Sequence, residues 1–69
     1  MITNTLTIAG TDCTGGAGIQ ADIKAISANG SYAMSVITAV VAQNTQGVQK
    51  IQMMPLEMIR AQIDSVFSD

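Results

Sequence analysis

The sequence predicts an α/β fold built around one strand–helix–strand unit. A short β-prone run at residues 6–9 stops at Gly10 and leads into a glycine-rich segment, residues 10–18, and then an amphipathic helix. A second run, residues 34–42, is rich in β-branched residues and apolar at both odd and even positions. That pattern is typical of a strand covered on both faces in a parallel sheet. Strand, helix and strand in this order predict a right-handed βαβ unit.

The first helix is predicted from three isoleucines spaced i, i+4 and i+7, namely Ile19, Ile23 and Ile26. This spacing places them on one buried face of a helix. We expect the helix to begin near Gly16, with Thr14 as its N-cap. Asn29 and Gly30 mark its end, because glycine readily takes the left-handed conformation that follows a helix.

The remainder of the chain predicts one further strand and a second helix. Residues 43–47 form a polar turn, and residues 48–53 interleave apolar with polar side chains, which predicts an edge or flap strand with one wet face. Pro55 suits the first turn of the second helix. The apolar stripe of that helix consists of Leu56, Ile59, Ile63, Val66 and Phe67.

These predicted elements leave apolar surface without cover. At least one sheet edge and the stripe of the second helix have no predicted partner within the 69 residues. With 48% hydrophobic and 12% charged residues, the chain is also more apolar than a self-sufficient small domain. We therefore expect the N-terminal piece of a larger α/β domain, and a homodimer that covers both faces is the alternative.

Composition argues against several classes of function. With one cysteine and no histidine, the sequence offers neither a disulfide framework nor a zinc site, and no metal site is predicted. A net charge of −2 and only three cations argue against a nucleic-acid partner. No apolar run approaches the ~20 residues of a membrane span, and no segment resembles a signal peptide. We expect no membrane partner and a cytoplasmic location.

The glycine-rich segment is the predicted binding site. It holds Gly10, Gly15, Gly16 and Gly18, and glycines let a ligand approach the backbone closely. The segment has the GxxxxG spacing of a phosphate-binding Walker loop but lacks the lysine that should follow, so that interpretation fails. It also contains GxGxxA, but too far beyond the strand for a dinucleotide-binding turn, and no acidic residue ends the second strand.

Three motifs in order carry a family resemblance: TIAGTDCTGGAGIQADIKA at residues 7–25, then SVITA, then AQNT. The chain resembles the N-terminal portion of the hydroxymethylpyrimidine/phosphomethylpyrimidine kinases of thiamine biosynthesis, in the ribokinase-like superfamily. The resemblance covers the whole chain. It implies the N-terminal βαβ portion of a ribokinase-like three-layer fold, incomplete in this chain, with residues 1–69 forming the acceptor-substrate-binding part of the kinase domain.

The resemblance implies ATP-dependent phosphorylation of 4-amino-5-hydroxymethyl-2-methylpyrimidine (hydroxymethylpyrimidine) and of its monophosphate. ATP and Mg²⁺ would be bound mainly by the portion of the family's chain that is missing here, which carries a GTGC-like anion hole and the catalytic base. No catalytic residue is expected within residues 1–69, and Cys13 does not match the family's catalytic cysteine. We expect the 69-residue chain alone to be inactive.

Gln43 is the first candidate for binding the substrate. It follows a predicted buried strand, at the carboxyl edge where open α/β sheets bind ligands. A carboxamide presents a donor and an acceptor that match the amino group and ring nitrogen of an aminopyrimidine. The alternative is a glutamine that caps the following turn, and the family resemblance favours the substrate role.

Four further candidates come from the match to the family's motifs. Asp22, one turn after Gly18, would accept a hydrogen bond from the hydroxymethyl or amino group of the substrate, and the alternative is a solvated helix aspartate. Gly10, Ala17 and Val41 would supply close backbone and apolar contacts around a flat ring. The alternative roles of these three residues are structural: a tight turn for Gly10, helix packing for Ala17 and a place in the core for Val41.

Two other functions stay open from the sequence. A truncated, non-catalytic relative would bind the pyrimidine or a related ring such as pyridoxal. A structural or interaction fragment would use the apolar face of the second helix as a dimer contact.

Overall fold

A computed structural model describes residues 2–69 as four strands and two helices. In chain order these are β1 (Asn4–Ala9), α1 (Gly18–Ala28), β2 (Tyr32–Ile37), β3 (Ala39–Asn44), β4 (Gly47–Met53) and α2 (Leu56–Phe67). The predicted α/β class is confirmed. Over the same residues, neither helix is long and apolar enough to span a membrane.

The strands β1 and β2 form the parallel pair that the sequence predicts, with α1 as their connection. Thr7 of β1 bonds Asp22 of α1, so this side of the sheet is the α1 face. Side chains alternate along a strand, and Leu6 and Met34 accordingly lie on the opposite face, where they line a groove with the end of α2. The parallel pair is therefore a middle layer between two helices.

The end of α1 is confirmed in detail. Asn29 is the C-cap, and Gly30 follows it with φ +81°. The Gly30 N–H donates to the Ser27 carbonyl at 3.0 Å, and the Ser31 N–H donates to the Ile26 carbonyl at 3.1 Å. These two bonds define a Schellman motif, which is the helix ending that glycine favours.

The beginning of α1 differs from the prediction. The helix starts at Gly18 rather than near Gly16, and its N-cap is Ala17, whose side chain offers no oxygen to the helix. The prediction of Thr14 as N-cap is wrong. Thr14 instead bonds the carboxylate of Asp12 within the preceding loop, so its hydroxyl is engaged before the helix begins.

The predicted strand over residues 34–42 is two strands. Thr38 separates them: its N–H still bonds Ala9 in the parallel sheet, whereas its carbonyl accepts a hydrogen bond from Met54, just beyond β4. β3 then pairs antiparallel with β4 instead of continuing in the parallel sheet. A continuous apolar run without glycine or proline carries no signal for this break, because both kinds of strand favour the same residue types.

The β3–β4 hairpin lies mostly outside the core. Every residue of β4 is exposed, so the prediction of a strand with only one wet face is wrong. The pairing shifts between Ala42, which lies opposite Lys50, and Gln43, which lies opposite Val48. Gln49 is thus an extra residue on β4, as in a β-bulge, and such bulges twist and bend a hairpin.

The core of this unit is small. Its buried apolar residues are Ile19, Val36 and Ala39. α2 buries no residue, and Leu56 and Phe67 are 74% and 73% exposed. The expectation of an uncovered stripe on the second helix holds for these two residues, whereas Ile59, Ile63 and Val66 are half-buried.

One side chain fastens α2 to the sheet. The carboxamide of Gln62 accepts the Ile37 N–H and donates to the Ile37 carbonyl, both at 2.8 Å. A neighbouring strand would make bonds to the same two backbone groups. Gln62 therefore takes the place of a strand at the last residue of β2.

Candidate functional site

The loop between β1 and α1, residues 10–17, lies at the carboxyl end of the parallel pair and against the start of β3. The Thr11 N–H donates to the Ala39 carbonyl at 3.0 Å. A β-carbon placed on Gly10 would lie 3.5 Å from the Ala39 oxygen and 3.7 Å from Val41 Cγ2. The first residues of this β1–α1 loop are therefore in contact with β3.

Gly18 joins the β1–α1 loop to the helix in a way that requires glycine. Its φ is +60°, and a β-carbon there would lie 2.5 Å from the Gly10 carbonyl oxygen. The Ile19 N–H donates to the same oxygen at 2.9 Å. Both the left-handed conformation and the close backbone approach exclude a side chain at this position.

Asp12 is buried, with 4% of its surface exposed, and its carboxylate holds the loop together. It accepts hydrogen bonds from the Thr14 N–H at 2.9 Å, the Thr14 hydroxyl at 2.8 Å and the Gly16 N–H at 3.1 Å. The Thr14 amide foremost, and then the Thr14 hydroxyl, lower the pKa of Asp12 below its ordinary value of 3.8, while burial opposes them. The carboxylate is therefore ionised at neutral pH.

Thr11 connects the loop to β3 at the loop–hairpin corner, which we define as Gly10, Thr11, Val41 and Gln43. Thr11 Oγ1 accepts the Val41 N–H at 2.9 Å. The Thr11 carbonyl accepts from Gln43 Nε2 at 3.3 Å. Cys13 Sγ donates to the Gln43 carbonyl, also at 3.3 Å. The structure thus brings three of the predicted site residues together.

Gln43 does not lie where the sequence predicts it. The expected position is the carboxyl edge of a parallel strand, whereas the observed one is the next-to-last residue of β3 in the antiparallel hairpin. The interpretation as a cap of the following turn is also wrong, because Asn44 Oδ1 makes that bond, to the Gln46 N–H at 2.9 Å. The loop–hairpin corner still lies at the carboxyl end of β1, since Gly10 directly follows that strand.

The carboxamide of Gln43 keeps hydrogen-bonding capacity for a ligand. The residue is half-buried, and one of its two N–H groups is used on the Thr11 carbonyl. Within residues 2–69, its Oε1 accepts no hydrogen bond. One donor and one acceptor on the same planar group therefore remain, and these are the two functions that an aminopyrimidine edge requires.

Asp22 lies on α1 and Ala17 at its N-cap, outside the loop–hairpin corner as defined. The Asp22 carboxylate is half-buried and accepts the Thr7 hydroxyl at 2.6 Å, so it is not the solvated helix aspartate of the alternative interpretation. Ala17 is exposed at the far end of the loop. Neither side chain bonds the corner in the described part of the chain.

Three residues that hold the site together are not among the predicted site residues: Thr11, Asp12 and Gln20. Gln20 Oε1 accepts the Asp12 N–H at 2.8 Å and so ties the loop to the first turn of α1. Asp12 is followed two and three residues later by Thr14 and Gly15, a pattern typical of an Asx-type turn, and this is the local signal for its role. The Gln20 bond has no local signal, because its partner is a backbone group distant in the sequence.

The β1–α1 loop does not suit the phosphates of a nucleoside triphosphate. Its amides at Thr14 and Gly16 point at the Asp12 carboxylate, and an ionised carboxylate repels phosphate. The cation beside the loop, Lys24, donates to the Gly15 carbonyl at 3.1 Å. Over residues 2–69, no three thiol or carboxylate side chains group together in the manner of a metal site. The Thr14 and Gly16 amides and Lys24 are therefore already engaged within the protein and do not form a phosphate cradle.

Comparison with known proteins identifies the family. The family model described as phosphomethylpyrimidine kinase matches residues 12–69. The chain belongs to the phosphomethylpyrimidine kinase family. A hydroxymethylpyrimidine/phosphomethylpyrimidine kinase of Escherichia coli K12 is 64% identical to it over 66 residues, which cover 96% of this chain and 25% of the relative. The family resemblance that the motifs indicate is thereby confirmed.

Solved structures agree with this assignment. A phosphomethylpyrimidine kinase from Clostridium difficile 630 superposes with a TM-score of 0.93 at 57% identity, over 97% of this chain and 29% of that one. A Staphylococcus aureus pyridoxal kinase in complex with AMP-PCP and pyridoxal gives 0.87 at 30% identity, over 99% and 26%. The described unit thus has the α/β fold of part of these kinases, and the chain spans about a quarter of the relatives it matches.

Proposed function

We propose that the protein carrying this chain transfers phosphate from ATP to hydroxymethylpyrimidine and then to its monophosphate, in thiamine biosynthesis, and that residues 1–69 bind this acceptor. Membership of the phosphomethylpyrimidine kinase family supports the reaction. The observation that carries the acceptor site is the half-buried Gln43 carboxamide, which donates to the Thr11 carbonyl and keeps its oxygen and one N–H uncommitted.

Gln43 recognises the pyrimidine edge in this proposal. Its Oε1 accepts from the exocyclic amino group, and its free N–H donates to the adjacent ring nitrogen. Gly10 and Val41 flank the ring, because the absence of a side chain at Gly10 lets a flat ligand approach the backbone. Ala17 contributes an apolar contact from the other end of the β1–α1 loop.

Asp22 serves the hydroxymethyl or amino group of the same ring. The Thr7 hydroxyl holds one carboxylate oxygen at 2.6 Å and leaves the other to accept a hydrogen bond from the substrate. Because Asp22 lies on α1 and Gln43 on β3, a ring that reaches both spans the carboxyl end of β1. Such a position matches the rule that open α/β sheets bind ligands beyond the carboxyl ends of their strands.

ATP and Mg²⁺ bind outside residues 1–69 in this proposal. Phosphoryl transfer requires metal and dense positive potential around the phosphates, whereas the β1–α1 loop holds the Asp12 carboxylate with a single lysine beside it. The cytoplasmic location and the homodimer remain predictions from the sequence.

The test is ADP release by the complete protein in the presence of Mg²⁺ and ATP. We expect release that depends on hydroxymethylpyrimidine, followed by a second equivalent as the monophosphate is converted. Release that is equal with and without the pyrimidine would refute the proposal.

A pyridoxal kinase is the second candidate, because a pyridoxal kinase bound to pyridoxal shares the fold of this unit at 30% identity. Pyridoxal offers a ring nitrogen but no amino group next to it, so Gln43 would use one hydrogen bond instead of two. We therefore expect a higher KM for pyridoxal than for hydroxymethylpyrimidine in the same assay.

A further inference from the structure

Asp12 is the one buried charged side chain among residues 2–69. It lies in the middle of the β1–α1 loop, between the loop–hairpin corner on one side and α1 on the other. A buried carboxylate is costly unless hydrogen bonds compensate it. Here the compensation comes wholly from within the loop, through the Thr14 amide, the Thr14 hydroxyl and the Gly16 amide.

These bonds determine the shape of the loop. The Gly15 N–H also donates to the Asp12 carbonyl at 2.9 Å, and the Asp12 N–H donates to Gln20 at 2.8 Å. Asp12 is therefore tied to the loop at its carboxylate and carbonyl and to α1 at its amide. Removal of the carboxylate would leave the Thr14 and Gly16 amides without an acceptor, and an unpaired amide favours a different loop conformation.

The two neighbours of Asp12 carry the loop–hairpin corner. Thr11 accepts from the Val41 N–H and from Gln43 Nε2, and Cys13 donates to the Gln43 carbonyl. Both residues are covalently adjacent to Asp12, so the position of Gln43 depends on the conformation that Asp12 imposes. The Asp12 carboxylate itself is occupied by donors of its own loop, Thr14 and Gly16.

We propose that Asp12 is a positioning residue for the acceptor site: by fixing the β1–α1 loop it sets the place and orientation of the Gln43 carboxamide. The proposal rests on the proposed function for its kinetic consequence and on the hydrogen bonds alone for its structural one. Because the Asp12 carboxylate is taken up by loop donors, its effect should reach the acceptor through Gln43 and leave ATP binding intact.

The experiment compares Asp12→Ala, Asp12→Asn and the matched control Asp64→Asn in the complete protein. Asp64 is an exposed carboxylate on α2, distant from the loop. We expect Asp12→Ala to raise the KM of hydroxymethylpyrimidine by about 10- to 100-fold, the scale of losing charge-assisted hydrogen bonds. The KM of ATP should change by less than about twofold, within the reach of ordinary surface changes.

Asp12→Asn separates positioning from charge alone. Asparagine keeps an oxygen for Thr14, but its NH₂ group meets the Gly16 N–H with a second donor. Its KM for the pyrimidine should therefore lie between those of the wild type and Asp12→Ala, and Asp64→Asn should match the wild type. An equal rise in the KM of ATP, or wild-type pyrimidine KM in Asp12→Ala, would overturn the proposal.

Hydrogen–deuterium exchange gives a readout that does not need activity. Because the Val41 amide bonds Thr11, Asp12→Ala should speed exchange in peptides covering residues 10–20 and 39–44, with the rest of the protein unchanged. If the wild type fails to phosphorylate the pyrimidine, the proposed function fails, and this exchange pattern still decides the role of Asp12. Unchanged exchange at Val41, or global loss of protection in both Asp12 variants, contradicts a local positioning role.

Discussion

Gln43 Nε2 donates to the carbonyl of Thr11 across 3.3 Å, and this bond links the hairpin to the β1–α1 loop. This bond holds the donor end of the carboxamide on a backbone oxygen and so limits its rotation. The remaining N–H and Oε1 then point to a defined place, which is the condition for recognising a ring edge rather than merely contacting it.

Gln43→Leu in the complete protein tests that recognition. Leucine keeps roughly the volume but removes both polar atoms, so a bound aminopyrimidine would bury an unpaired amino group and ring nitrogen. We expect a loss of about 1–3 kcal/mol, seen as a roughly 5- to 150-fold fall in kcat/KM for the pyrimidine. Steady-state kinetics measures it, with the KM of ATP nearly unchanged.

Two companions sharpen the Gln43 experiment. Gln43→Glu should be similarly poor, because it replaces the amide donor with a second acceptor facing the ring nitrogen. Gln46→Leu is the control, since Gln46 is exposed in the turn of the same hairpin. Wild-type efficiency in both Gln43 variants would exclude Gln43 from the site.

Gly18→Ala should destabilise the protein more than Gly30→Ala. Both glycines have positive φ, at +60° and +81°, so each alanine carries a left-handed penalty of about 1–2 kcal/mol. A β-carbon at Gly18 would also lie only 2.5 Å from the Gly10 oxygen, whereas one at Gly30 would meet no atom within 4 Å apart from its chain neighbours. Denaturant unfolding should show an additional loss of about 1–3 kcal/mol for Gly18→Ala. Equal losses of unfolding free energy in the two variants would mean that the backbone shifts away from the Gly18 β-carbon at little energetic cost.

The isolated 69-residue chain should fold poorly. Its exposed surface is 4906 Å², against roughly 4,100 Å² for a compact folded chain of this mass. The excess lies in exposed apolar side chains such as Leu56 and Phe67. We expect a thermal scan of the dilute chain to lack a cooperative transition. A sharp transition with well-dispersed amide resonances would show that the expectation is wrong.

The same isolated chain should transfer no phosphate from ATP. Among residues 2–69 the loop amides at Thr14 and Gly16 are taken by Asp12, and no carboxylate group resembles a metal site. Incubation with ATP, Mg²⁺ and hydroxymethylpyrimidine should give ADP at the rate of a protein-free blank. Pyrimidine-dependent ADP from the purified chain would contradict this prediction.

Acid should destabilise the β1–α1 loop through Asp12. Its pKa is lowered on folding, chiefly by the Thr14 amide, so its contribution to stability is complete above the unfolded value of 3.8. That contribution is lost as the pH falls from 3.8 through the lower folded pKa. Denaturant unfolding of the complete protein and of Asp12→Asn should therefore show a stability difference that is constant at neutral pH and shrinks below about pH 4. A difference that does not shrink in acid would mean that the ionised form is not what stabilises the loop.

Local patterns predicted the elements well and the site less well. The isoleucine stripe and Gly30 identified α1 and its end, because helix periodicity and glycine conformation are properties of neighbouring residues. The break at Thr38 was missed because the parallel strand and the hairpin strand require the same β-branched residues. Because of that break, Gln43 lies in the β3–β4 hairpin and not in the parallel sheet where it was predicted.

The hydrogen bonds that hold the site together were likewise beyond what local sequence patterns predict. Spacing alone favours Thr14 as the N-cap of α1. In the structure its hydroxyl instead donates to the Asp12 carboxylate at 2.8 Å. The contacts of Thr11 with Val41 and Gln43 join residues about thirty positions apart, and no local propensity reports such pairs.

The carboxamide of Gln62 makes the two edges of the parallel sheet unequal. Along β2, a strand arriving at the outer edge would meet Ile37 already bonded twice at 2.8 Å by Gln62. Along β1, the outward N–H and C=O groups of Asn4, Leu6 and Ile8 pair with no strand in the described part of the chain. Open backbone edges recruit strands, and blocked ones resist unwanted association. A strand arriving beside β1 would therefore find the outward backbone groups of that strand open, whereas one arriving beside β2 would have to displace Gln62 from Ile37, and Gln62→Leu would free those two groups.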